Sequence, residues 1–116
     1  SDNLFTNNII RNNGVSGVFF RPDEPLVGGH RNVFRDNQIL DNGGAEEGYG
    51  VLVRPCNRDE VFENNRIAET RQGEERTQRY GVYVFKGDSS VRLAGNTFEG
   101  NLKGETFDEN GGAALR

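Results

Sequence analysis

The 116 residues carry 14 Lys and Arg against 18 Asp and Glu, a net charge of −4, so no basic excess exists to hold a phosphate backbone and a nucleic-acid partner is disfavoured. Only 33% of residues are hydrophobic and 16 are Gly, with no Met or Trp. This argues against one bulky core, and the short apolar runs rule out a membrane-spanning helix.

In chain order, the first predicted element centres on Phe5, with Asn8 three residues later and Ile10 two beyond it. The next is a Gly followed by an apolar–any–apolar triplet, Gly17-Val18-Phe19-Phe20. Both patterns then recur in alternation: Phe34…Asn37…Ile39, Gly50-Val51-Leu52-Val53, Phe62…Asn65…Ile67, Gly81-Val82-Tyr83-Val84, Leu93…Asn96…Phe98 and Gly112-Ala113-Ala114-Leu115. The Gly-to-Gly spacings are 33, 31 and 31, and the Asn-to-Asn spacings 29, 28 and 31. Period-two alternation, β-branched and aromatic residues, and Gly and Asn punctuation predict short strands rather than helices. A unit of about 30 residues cannot bury its apolar faces alone, but stacked units can.

The predicted fold is all-β, a right-handed, single-stranded parallel β-helix of about four coils with three short strands per coil, one domain over residues 1–116. The first strand of a coil is the Gly-Val-x-Val segment, with Val18/Phe20, Val51/Val53, Val82/Val84 and Ala113/Leu115 facing inward. The second holds Phe5, Phe34, Phe62 and Leu93, and the third Ile10, Ile39, Ile67 and Phe98. At the bend between second and third strands Asn tolerates a left-handed backbone. Its amide both donates and accepts, so Asn8, Asn37, Asn65 and Asn96 are predicted to form a ladder, one rung per coil.

The Gly-Val-x-Val strands, the Phe-x-x-Asn-x-Ile bends and the long loops after each third strand resemble the parallel β-helix repeats of the pectate lyase-like superfamily, over essentially the whole chain. Catalytic members usually have more coils and an N-terminal capping helix. The repeat here runs from Asn3 to Arg116, which suggests a segment of a longer solenoid, self-association at open coil ends, or neighbouring domains that cap them. The resemblance favours a secreted or periplasmic address. It also implies that a ligand lies along the outer face of the first strand, where Phe19, Leu52, Tyr83 and Ala114 point outward.

Beside that apolar stripe come Arg21-Pro22, Arg54-Pro55, Phe85-Lys86 and Arg116, a basic stripe. Rings cover apolar sugar faces and guanidinium groups grip carboxylates. Phe19, Arg21, Leu52, Arg54, Tyr83 and Lys86 are therefore candidate ligand-binding residues for an acidic polysaccharide. A polyuronate lyase or epimerase, and a structural β-helix mediating assembly through its ends, are the alternatives. An enzyme would need a base, and none stands out. The loops holding Glu46-Glu47, Glu74-Glu75-Arg76, and Glu105 with Asp108-Glu109 are expected to be solvated; they offer oxygen ligands for calcium, but no cofactor is expected. The run from Arg66 to Arg79 is likewise read as a solvated loop. His30 is the only histidine and Cys56 the only cysteine, which disfavours a metal site and excludes an internal disulfide.

Overall fold

In the computed structural model, residues 2–20 and 30–115 are described. Twelve short strands follow one another among them: β1 (Leu4–Thr6), β2 (Ile9–Arg11), β3 (Ser16–Phe20), β4 (Val33–Arg35), β5 (Gln38–Leu40), β6 (Tyr49–Val53), β7 (Glu60–Glu63), β8 (Arg66–Ala68), β9 (Tyr80–Val84), β10 (Val91–Ala94), β11 (Thr97–Glu99) and β12 (Gly104–Asp108). The one helical element among the described residues is a 3-10 turn, Gly73–Glu75. Every third strand pairs in parallel, giving three four-stranded sheets: β1-β4-β7-β10, β2-β5-β8-β11 and β3-β6-β9-β12. The chain closes three complete turns between β1 and β10 and runs on through β12, so about three full turns stand where four coils are expected.

Like stacks on like inside. Phe5, Phe34 and Phe62 stack with ring centroids 4.5 and 4.8 Å apart, and Leu93 continues the column in register. Ile10, Ile39, Ile67 and Phe98 form a second column, and Val18, Val51 and Val82 a third. Phe20 meets Phe34 and Phe62 edge-on. Each fully buried Phe, Ile or Val contributes about 1.5–3 kcal/mol, which is how so few apolar residues suffice.

The corners hold three amide ladders rather than one. Asn8 donates its backbone and side-chain N–H groups to Asn37 Oδ1 (2.9 and 3.1 Å). Asn37 does the same to Asn65, and Asn65 to Asn96. A second ladder runs Asn13–Asn42–Gln78–Asn101, and a third Asn3–Asn32–Glu60. At the bends of the first ladder the left-handed residue is the one before the rung. Asn7, Asp36 and Asn64 have φ of 57°, 58° and 54°, and Gly95 follows at 67°. The rung Asn itself stays out of that region because its side chain must turn into the coil.

Two expectations need correction. Gly112-Ala113-Ala114-Leu115 is not the fourth strand of the Gly-Val-x-Val sheet; β12 is, with Phe107 opposite Tyr83. Only four residues separate β11 from β12, so the chain reaches that sheet early. Ala114 is then buried, and Leu115 bridges Val91 as the chain turns toward the next coil. The run Arg66 to Arg79 begins as β8, and the loop after it is tied down. Glu69 accepts the Arg71 guanidinium and the amides of Arg71, Thr77 and Gln78. Burial alone would raise its carboxyl, but these donors prevail and hold it down to about 2. Asp41, equally buried, accepts the Thr70 amide and hydroxyl (2.6 and 2.7 Å). This network seats Gln78 as a ladder rung.

Candidate functional site

The outward side of β3-β6-β9-β12 is the aromatic face of the molecule. Phe19, Leu52, Tyr83 and Phe107 stand in register on successive coils. Tyr83 stacks on Phe107 at 5.2 Å and 14° and also meets Tyr49, Tyr80 and Phe85 within 5.5 Å. Tyr80 in turn touches Phe107 at 5.5 Å. Phe19 and Phe107, at the two ends, are 45% and 43% exposed, whereas Leu52 is only 4% exposed. Leu52 therefore forms the floor, and a ligand would meet the rings around it.

Tyr49 and Tyr80 follow from a break in alternation. At Gly50 a Cβ would come within 2.6 Å of Ile67 Cγ2 and 2.7 Å of the Gly81 carbonyl, so Gly50 sits hard against the interior. Val51 and Val53 are also buried. The residue before the glycine is thereby left at the surface, where strict alternation would have turned it inward. Gly81 repeats the arrangement, with Phe98 the obstructing side chain.

One residue past the strands runs a second column. The Phe85 amide donates to Val53, and the Glu109 amide to Val84 (both 2.9 Å), which places Arg54, Phe85 and Glu109 on successive coils. The Arg54 guanidinium lies 4.8 Å from the Phe85 ring centroid and 5.9 Å from that of Phe19. Arg54 is exposed and makes no ion pair among the described residues. Glu109 accepts the Tyr83 hydroxyl through Oε2 (2.5 Å) and the Lys86 amide through Oε1 (2.9 Å). Burial first, and then this carboxylate, push the Tyr83 phenol well above its usual value. Burial and Glu47 raise Tyr49 in the same direction.

The structure thus brings Phe19, Arg54, Tyr83 and Lys86 to one face, with Leu52 beneath. Arg21, Pro22 and Arg116 lie outside the described residues. Ala114 is on another part of the coil, and Phe107 takes the place expected for it. Tyr49 and Tyr80 were not among the expected residues, and Glu109 was expected only as a solvated loop carboxylate, whereas it accepts the Tyr83 hydroxyl and the Lys86 amide. The tyrosines have a signal in the repeated Tyr-Gly-Val-x-Val, but its meaning depends on the break in alternation. Elsewhere, a shallow depression outside β7 and β10 is lined by Asp59, Val61, Ser90, Val91 and Arg92. Asp59 and Ser90 bond to each other there, the Asp59 amide donating to Ser90 Oγ at 2.8 Å.

Parallel strands wound into three sheets, amide ladders at the corners and apolar columns within define a β-helix. The family model described as right handed beta helix region matches residues 1–115, and the chain belongs to that family, an assignment consistent with the pectate lyase-like superfamily. A comparison with curated proteins and one with solved structures find no match.

Proposed function

We propose that this chain is a recognition scaffold whose aromatic face binds an acidic polysaccharide. One observation supports the reading above the others: an exposed guanidinium held over two rings, without a carboxylate partner among the described residues, beside a continuous aromatic surface. A cation over aromatic faces keeps its N–H groups directed outward for an anion. The rings supply apolar cover for sugar faces. Three coils span only about 10–15 Å, so a short stretch of polymer is engaged and binding is weak and salt-dependent.

Calorimetric titration with oligogalacturonate, alginate oligomers and a neutral glucan tests this. The acidic oligomers should bind and the glucan should not. Arg54→Ala and Tyr83→Ala should each weaken binding, whereas Arg66→Ala, on a different sheet and paired with Glu99 at 3.5 Å, should leave it unchanged. Absence of binding at millimolar concentration, or equal effects from all three substitutions, would overturn the reading.

A further inference from the structure

An asparagine side chain is most open to attack by its own backbone when glycine follows, because glycine has no Cβ to shield its amide nitrogen. The chain has three such pairs, Asn13-Gly14, Asn42-Gly43 and Asn110-Gly111, and the fold sets them in three different surroundings. Asn42 is fully buried, its Nδ2 donating to Gln78 Oε1 at 3.2 Å and to the Ile10 carbonyl at 3.4 Å. The Gly43 amide is occupied too, donating to the Asn13 carbonyl at 2.7 Å. Asn110 is half-buried; its Nδ2 donates to Asp108 Oδ1 and the Phe85 carbonyl, and its Oδ1 accepts the Gly87 amide. The Gly111 amide donates to the Asp108 carbonyl at 3.1 Å. Asn13 holds the same rung position as Asn42, one coil earlier, and is exposed. Its Nδ2 keeps a single bond, to Asn42 Oδ1 at 3.0 Å. The Gly14 amide has no hydrogen-bond partner among the described residues, and open space lies where a Gly14 Cβ would be.

We propose that Asn13 is a site of spontaneous covalent modification, with water as the only co-reactant, whatever the aromatic face binds. The Gly14 nitrogen bonds to Asn13 Cγ while the Cγ–Nδ2 bond breaks, and the side-chain nitrogen leaves as ammonia with the proton lost by Gly14. Water then opens the cyclic imide at either carbonyl, giving aspartate or isoaspartate. Both products lose the Nδ2 donor of the rung. Aspartate sets a carboxylate against Asn42 Oδ1, acceptor against acceptor, and isoaspartate lengthens the backbone shortly before β3. The first rung of the Asn13–Asn42–Gln78–Asn101 ladder is undone, while the buried rungs keep theirs. At Asn42 and Asn110 the same reaction requires a local opening that first breaks the bonds holding the amide and the following glycine.

The test ages the full chain at mildly alkaline pH, folded and in denaturant side by side. Peptide mapping by mass spectrometry follows the exchange of –NH2 for –OH at each asparagine, and isoaspartyl methyltransferase labelling follows isoaspartate. In the folded chain Asn13 should convert at least about tenfold faster than Asn42 or Asn110, since those two lose several hydrogen bonds on opening. In denaturant the three pairs should convert at similar rates, which assigns the folded order to the structure. Gly14→Ala places its Cβ in open space, so it should keep the fold by circular dichroism and slow conversion at Asn13. Asn42 or Asn110 converting as fast as Asn13 in the folded chain overturns the proposal. So does an Asn13 that converts in denaturant but not when folded, or a rate at Asn13 that Gly14→Ala leaves unchanged. The comparison of the three pairs on the unaltered chain decides even where the variant folds poorly.

Discussion

Asn37 shows what a single rung does. It accepts two N–H groups from Asn8, donates to Asn65 Oδ1 at 3.1 Å and donates again to the Phe5 carbonyl at 2.9 Å. Asn37 and Asn65 are both buried, so loss of the Asn37 amide leaves the Asn65 side of the rung without a partner or water. Asn37→Ala should destabilise the chain by about 1–3 kcal/mol. Asn37→Asp should do no better, because a carboxylate has no hydrogen for Asn65 or Phe5. Denaturant melts of the two variants check this, and a neutral result for either contradicts it. Glu60 is the instructive contrast. It accepts from Asn32 at 3.2 and 3.3 Å, and the residue opposite it on the next coil is Val91, which asks for no donor. A pure acceptor fits there. Burial nevertheless raises the Glu60 carboxyl above its ordinary value near 4.5, against the opposing Asn32 hydrogen bonds. A group raised on folding contributes stability that is present below about pH 4.5 and lost as pH rises through its folded value. Stability of Glu60→Gln should therefore lack this decline, read as melting temperature against pH. Parallel curves for the two proteins would contradict the assignment. The Asn8 ladder was legible because its rungs are all Asn at spacings of 29, 28 and 31. The Asn13 ladder was not, because the loop before Gln78 stretches its spacings to 29, 36 and 23.

At the scale of the strand, glycine decides where the side chains go. Gly50 stands where a methyl group would strike Ile67 and the Gly81 backbone. Gly50→Ala should cost about 1–3 kcal/mol through overpacking and should disturb the Tyr49–Tyr83 contact one coil on. Gly14 has open space where its Cβ would go, so Gly14→Ala should melt close to the unaltered chain. Equal melting temperatures for the two variants would mean that the close approach at Gly50 is not needed. The Gly-Val-x-Val repeat made three of the four strands in this sheet plain. The fourth, Gly-Glu-Thr-Phe-Asp, lacks the apolar–any–apolar pattern because two of its interior columns give way there, to Thr106 and Asp108. Spacing alone then pointed to Gly112, where a similar tetrapeptide serves a different turn of the chain. The loop from Glu69 to Arg79 misled in the opposite way. Mixed charges ordinarily mark a solvated surface, and residues 72–76 are exposed, but Arg71 packs onto the buried Glu69 and Asp41.

For the whole molecule, the β-helix gives each of its three sides a distinct character from one repeated unit. Two sides present mixed polar and charged residues, with inter-coil pairs such as Arg35–Glu63 at 3.0 Å and Arg66–Glu99. The third gathers Phe19, Tyr49, Tyr80, Tyr83, Phe85 and Phe107 beside Arg54. The resemblance to parallel β-helix repeats pointed to this side, and the Gly-Val-x-Val spacing said which of its outward residues stack on successive coils. It expected Glu109 only as a solvated loop carboxylate, because its place beside Tyr83 follows from the early arrival of β12. The central claim is that this third side is where a glycan binds. Chemical-shift mapping on the isotope-labelled chain, titrated with an acidic oligosaccharide, tests it most directly. The shifts should cluster on Phe19, Arg54, Lys86, Phe107 and their neighbours, leaving Gln38, Arg66 and Thr97 on the β2-β5-β8-β11 side unchanged. Shifts centred on either of the other two sheets, or none at millimolar ligand, would contradict it.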